Sequence, residues 1–132
     1  MEVRDIQATE VEAVQRLLLE NEFAGRHVAD LNRFRTLLEK SQCALVAVED
    51  GEVIGFARAI CDELSDGYLA MLVVAAPCRK KGVGSALVRA VMGSDSGVAW
   101  MVRAPPRSRK ILRKAGLRDI ADGPVASASA IN

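Results

Sequence analysis

The heptapeptide Arg79-Lys80-Lys81-Gly82-Val83-Gly84-Ser85 packs three cations, two glycines and a hydroxyl into seven positions. Residues of these types suit an anion. Glycines let the backbone approach a ligand with no Cβ in the way. The first amides of a helix lack intrahelical partners and sit at the positive end of its dipole. If a helix begins here, its amides can hold a pyrophosphate, and Arg79, Lys80 and Lys81 add longer-range attraction. A tight turn with a basic rim is the plainer reading of the same residues. Two common phosphate loops are excluded at named positions. The string G-x-x-x-x-G-K-[ST] does not occur, and the third glycine of a dinucleotide fingerprint is replaced by Leu87.

The elements around the loop must position it. Glu2 to Ile6 reads as a first strand. Thr9 and Glu12 read as a capping box, opening a helix whose apolar positions are Val11, Val14, Leu17 and Leu18. A second helix follows through Leu31, Phe34, Leu37 and Leu38. The period then changes: Cys43 to Val48 is a strand, Asp50-Gly51 a hairpin turn, and Val53 to Ile60 the returning strand. Asp66-Gly67 is expected to turn again into Tyr68 to Ala75, an apolar run that should be a central strand. Beyond the glycine loop, Val83, Ala86, Leu87, Ala90 and Val91 line one face of a helix. Val98 to Val102 forms another strand, Ile111 to Ala115 a fourth helix closed by Gly116, and the residues from Leu117 a last strand or hairpin. The fold class is therefore α/β, a mixed α+β arrangement with a central mixed sheet flanked by about four helices. Residues 1–132 are expected to form a single domain.

The pattern Arg79-x-x-Gly82-x-Gly84, placed between an apolar strand and an amphipathic helix, resembles the acyl-CoA site of GNAT acetyltransferases. The segment Leu72-Val73-Val74-Ala75-Ala76-Pro77-Cys78 strengthens the resemblance, which runs from Val3 to about Leu117. It implies an N-acetyltransferase that moves an acetyl group from acetyl-CoA, as co-substrate, to a primary amine of a small molecule or protein by direct transfer. Amides from Lys81 through Ser85, including Val83, with Lys80 at the rim, would hold the pyrophosphate. Leu72 and Val74, flanking Val73, would offer main-chain groups to the pantetheine arm, as an added strand would. In the family that strand and the next splay apart to admit the thioester.

The side chains that members of this family use for proton transfer are absent. The stretch Ile111-Leu112-Arg113-Lys114-Ala115-Gly116-Leu117 puts Leu112 where a tyrosine usually stands. The usual asparagine is Pro105, and Ala70 and Met71 occupy the strand position of a carboxylate base. Tyr68 and Ser108 are the remaining candidates for a catalytic acid, with packing and N-capping as their simpler roles. His27, Asp62, Glu63 and Asp66 sit on loops that could shape an acceptor pocket. The alternative is a non-catalytic acyl-CoA-binding or regulatory module on the same fold.

Composition narrows the partners. Residues 1–66 carry fourteen acids and seven bases, and residues 67–132 three acids and eleven bases, which suits an anion bound by the second half. The run Arg103, Arg107, Arg109, Lys110, Arg113, Lys114 and Arg118 has no interleaved aromatic residues, which argues against a nucleic-acid partner. Three cysteines, an odd number without a C-x-x-C pair, and a single histidine point to neither a disulfide framework nor a metal site. No apolar run has the length of a membrane span and the N-terminus lacks a leader pattern, so the expected location is cytoplasmic. Sixteen residues follow Gly116. The C-terminal side of an acceptor pocket is then small, or is completed by a second subunit in a homodimer.

Overall fold

The computed structural model describes residues 1–23, 25–93, 97–102 and 112–119. Six strands form one sheet in chain order: β1 (Glu2–Asp5), β2 (Cys43–Glu49), β3 (Glu52–Cys61), β4 (Asp66–Val74), β5 (Ala99–Val102) and β6 (Leu117–Asp119). β1 to β4 are antiparallel neighbours, and β4, β5 and β6 run parallel. The expected mixed sheet is therefore present, with the chain crossing over twice, once before β5 and once before β6.

Two apolar layers fix the helices to opposite faces. On one face α1 (Val11–Glu20), the short α2 (Arg26–Ala29) and α3 (Leu31–Glu39) bury Val14, Leu18, Val28 and Phe34 against Val46, Phe56, Met71 and Val73. Phe34 and Phe56 meet edge to face, 6.4 Å between ring centres. On the other face α4 (Val83–Met92) packs Val83, Leu87 and Val88 against Ala57, Leu69, Trp100 and Val102, with Leu112 and Leu117 in the same cluster. The i, i+3, i+4 spacing of these residues and the period-2 alternation of the strands account for both layers.

Two expectations are corrected. The capping box does not use Thr9 and Glu12: a 3-10 turn at Ala8–Glu10 precedes α1, and the Gln7 amide donates to Glu10 Oε1 at 2.9 Å. Glu10 is drawn there because Arg4 grips it with two hydrogen bonds, 2.8 Å to Oε1 and 2.7 Å to Oε2. Nor is Asp66-Gly67 a turn, since both residues already pair within the sheet. The reversal lies just before it, where Asp62 Oδ1 accepts the amides of Leu64, Ser65 and Asp66 at 2.8 to 3.0 Å. Gly67 is needed for space instead, because a Cβ there would lie 2.6 Å from the Trp100 ring.

The Arg4 hydrogen bonds, followed by the Gln7 amide and the charge of Arg4, hold the Glu10 carboxyl below its ordinary range despite partial burial. A carboxylate with a depressed folded-state pKa stabilises the fold above its unfolded value and loses that contribution as pH falls through the folded one. Glu10→Gln is expected to flatten the acid limb of a melting temperature against pH plot. An unchanged acid limb would show that this pair does not contribute to it.

Candidate functional site

Among the described residues, β4 is longer than its pairing with β5: the described β4–β5 pairs run from Asp66–Ala99 to Leu69–Val102, while β4 continues to Val74. On its other side β4 remains paired with β3 up to Gly55–Val74. The Ala75 amide donates to the Ile54 carbonyl at 2.8 Å, which fixes the alternation of peptide groups in this stretch. By that alternation Val73 faces β3, and the peptide groups of Leu72 and Val74 point to the opposite edge of β4. Among the described residues the strand edge at Leu72 has no partner strand. Backbone groups left this way are ready to pair with an extended ligand.

The glycine loop begins where this edge ends. Ala76–Cys78 form a 3-10 turn, Lys80 and Gly82 take positive φ values of 64° and 85°, and α4 starts at Val83. Gly82 is the residue before the first helical one and has no side chain to satisfy the free amides, and space within 4 Å of its Cβ position is open. Positive φ costs a residue with a Cβ about 1–2 kcal/mol, so glycine is the natural occupant. Gly84 lies against the strand edge, its Cβ position 3.7 Å from Val74 Cγ2. The α4 N-terminus and the end of β4 are thus adjacent. A helix dipole, unpartnered amides, a glycine-lined approach and two exposed lysines, Lys80 and Lys81, can accept a polyanion there. Ser85 stands in the first turn of α4.

Arg79 does something that its place in the motif did not indicate. Its Nε donates to the Val74 carbonyl at 3.1 Å, and Nη2 donates to Asn21 Oδ1 at the C-terminal cap of α1. The residue ties the end of α1 to the end of β4, across 58 positions of sequence. It also takes up the Val74 carbonyl, leaving the Val74 amide and both Leu72 groups on the edge.

The candidate proton-transfer residues are scattered. Tyr68 is paired with Met101, one residue before the last described pair of β4 and β5, and is half-buried. Leu112 is buried in the α4-side core with Leu117 and Trp100, so the position where a tyrosine would stand is part of the hydrophobic packing. Asp62 is committed to the β3–β4 turn. The amides of Ser65, Asp66 and Leu64 hold its carboxyl well below the usual range, which makes it a poor base. His27 sits on α2, away from the glycine loop, beside Asn32, Arg33 and Thr36. The cysteines are half-buried free thiols, and burial first, then the Asp5 charge, pushes the Cys43 thiol up. Ser108 and Pro105 lie outside the described residues, as do Arg103, Arg107, Arg109 and Lys110. No described helix is long and apolar enough to cross a membrane.

Comparison with known proteins places this geometry. Residues 11–100 match the model of the acetyltransferase (GNAT) family. No curated protein matches the chain in sequence. A probable acetyltransferase of meticillin-resistant Staphylococcus aureus superposes with a TM-score of 0.75 at 16% identity, covering 93% of this chain and 95% of that one. An acetyltransferase of Xanthomonas campestris pv. campestris described as belonging to the GNAT family gives 0.74 at 20% identity, with 98% and 90% covered. An aminoglycoside 6'-N-acetyltransferase solved with coenzyme A gives 0.59 at 20% identity, covering 89% of this chain and 58% of the larger protein. The match region contains β4, the glycine loop and α4 together.

Proposed function

Since the chain belongs to the acetyltransferase (GNAT) family, we propose that it transfers an acetyl group directly from acetyl-CoA to a primary amine of a small molecule or protein. The observation that carries this reading is the meeting of the α4 N-terminus with the edge of β4 that has no partner strand among the described residues. In this reading the amides of Lys81 to Ser85 hold the pyrophosphate, with Lys80 at the rim. The pantetheine lies along Leu72 and the Val74 amide, while Arg79 keeps that edge in place by its bonds to Val74 and Asn21. The fit is supported by the space above Gly82, which a Cβ-bearing loop would narrow.

The bound co-substrate supplies an activated carbonyl and a good leaving group. The chain supplies position. Holding amine and thioester in one seam converts a bimolecular encounter into an oriented one, which by itself is worth several orders of magnitude. Main-chain amides along the seam are suited to stabilise negative charge on the attacked oxygen. A free alkylamine must lose a proton before it attacks, and with Leu112 in the core and Asp62 committed to its turn that proton passes to water.

Leu112 also favours a second reading, an acyl-CoA-binding module without turnover. The two separate in one experiment. Acetyl-CoA at a hundredfold over its dissociation constant should stabilise the protein by about 2.7 kcal/mol, followed by thiol release with an amine panel. Stabilisation with release supports the transferase, and stabilisation without release the module. No stabilisation by acetyl-CoA, other acyl-CoAs or free coenzyme A would sink both.

A further inference from the structure

The seam between β4 and β5 has two faces, and α4 covers one of them. A molecule meeting the thioester must come from the other, and among the described residues no helix covers that face beyond β4. The register lays four side chains across it in a row: Ile60 beside Tyr68, Tyr68 beside Met101, and Met101 beside Arg118. Their neighbours in sequence, Ala59, Leu69, Trp100, Val102 and Leu117, belong to the α4-side core, so by alternation this row stands on the opposite face. Ile60 is 45% exposed although it lies within a sheet strand.

Arg58 rises on the same face, two residues from Phe56 and paired with Met71, both of which belong to the α1–α3 core. It is half-buried, and its Nε donates to Ser41 Oγ at 2.8 Å, a hydroxyl that itself donates to the Leu37 carbonyl. No ion pair to Arg58 or Arg118 forms among the described residues. Burial lowers the Arg58 pKa, with Tyr68 acting in the opposite sense. A cation removed from water without a counter-ion is costly, and a guanidinium fork fits a carboxylate or phosphate better than any other partner. The acids Asp62 and Asp66 lie at or before the start of β4, whereas Met71, the partner of Arg58, stands five residues beyond Asp66 on that strand. Asp66 is paired with Ala99 at the start of β4, its Oδ2 accepting the Ser65 hydroxyl at 2.8 Å, and Asp62 is held within the turn.

We propose that the acceptor amine carries an anionic group, a carboxylate or a phosphate, which Arg58 receives on this face with Arg118 at its rim. The inference rests on the transferase reading above, and adds the charge of the substrate to it. Tyr68 and Met101 form the floor between the two arginines, and the amine end of the acceptor reaches the seam beyond Leu69.

Acetyl-CoA turnover with 4-aminobutyrate, 4-amino-1-butanol and 1,4-diaminobutane tests this, with O-phosphoethanolamine and ethanolamine as the phosphate arm. Calorimetric binding of the same amines to the coenzyme A complex gives a readout independent of turnover. The anionic amine of at least one arm is expected to be preferred over its neutral isostere by about tenfold to a hundredfold, as a charge-assisted pair allows. Arg58→Gln should reduce that preference to within about threefold, Arg58→Lys should restore part of it, and Arg118→Gln should lower it by a smaller factor. Neutral or cationic amines that bind and react as well as the anionic ones would overturn the proposal, and so would a preference that survives Arg58→Gln. Stabilisation by coenzyme A is measured on the same samples. Its absence would fail the coenzyme reading, whereas its presence without charge preference fails this inference alone.

Discussion

Gly82→Glu is expected to weaken acetyl-CoA binding by at least about a hundredfold, since unit charges about 4 Å apart near a protein surface repel by about 4 kcal/mol before salt screening. Two effects combine in that variant. Glutamate at φ 85° strains the entry to α4, and its carboxylate occupies the open space where the pyrophosphate is proposed to lie. Gly82→Gln separates them, having the same backbone strain and nearly the same bulk without the charge. The glutamine variant should bind at least tenfold more tightly than the glutamate one, by loss of a repulsion that exceeds about 1.4 kcal/mol. Raising the ionic strength should narrow the gap between the two. Equal affinities for both variants would mean that no phosphate comes near residue 82.

Gly55→Val is expected to destabilise the fold by about 2–3 kcal/mol, the upper part of the range for an overpacked core. A Cβ at Gly55 would stand 2.9 Å from Leu87 Cδ1, 3.1 Å from Val83 Cγ1 and 3.3 Å from the Val73 carbonyl. The two side chains can give way a little, but the Val73 carbonyl belongs to the β3–β4 ladder and cannot. The strain is therefore relieved by moving α4, whose first residue is Val83. Coenzyme affinity should fall together with stability, because the amides proposed to hold the pyrophosphate ride on that helix. Denaturant unfolding of the Gly55→Val protein and calorimetry with coenzyme A measure the two effects. An unchanged unfolding midpoint would contradict the tight seating of α4 on Gly55.

These two glycines show what the sequence makes legible and what it hides. Gly82 stands in a recognisable loop between an apolar strand and an amphipathic run, so its place at the head of α4 could be read in advance. Gly55 has no such context. Its purpose is the approach of Leu87 and Val83, which lie far along the chain and on another element. The same limit explains Arg79, whose motif position suggests a ligand-facing cation while Asn21 and the Val74 carbonyl hold it as a clamp. The hydrophobic periods of α1, α3, α4 and the strands are local, and they were legible. The four-residue α2 has too few apolar positions to show a period; Gln15 fixes it by donating to the Val28 and Ala29 carbonyls at 2.8 and 3.2 Å.

Local signals misled in two places because a distant partner outweighed them. Thr9-Glu12 has the form of a capping box, but Arg4 captures Glu10 and moves the box to Gln7. Asp66-Gly67 has the form of a turn, but Trp100 needs the space above Gly67 and Asp62 can fold the preceding loop on itself. The side-chain row from Ile60 to Arg118 was invisible for a related reason. It exists only through the register of four strands, and Arg58 becomes conspicuous only when the sheet shows it half-buried with no ion pair among the described residues.

The coenzyme is proposed to lie across the α4 N-terminus and the edge of β4 that has no partner strand among the described residues. Titration of the isotopically labelled protein with coenzyme A, followed by amide NMR, tests this directly. The largest shifts are predicted at the amides of Lys81 to Ser85 and at Leu72 and Val74, with those of α3 little changed. Shifts concentrated on another surface, or none at saturating coenzyme A, would contradict it.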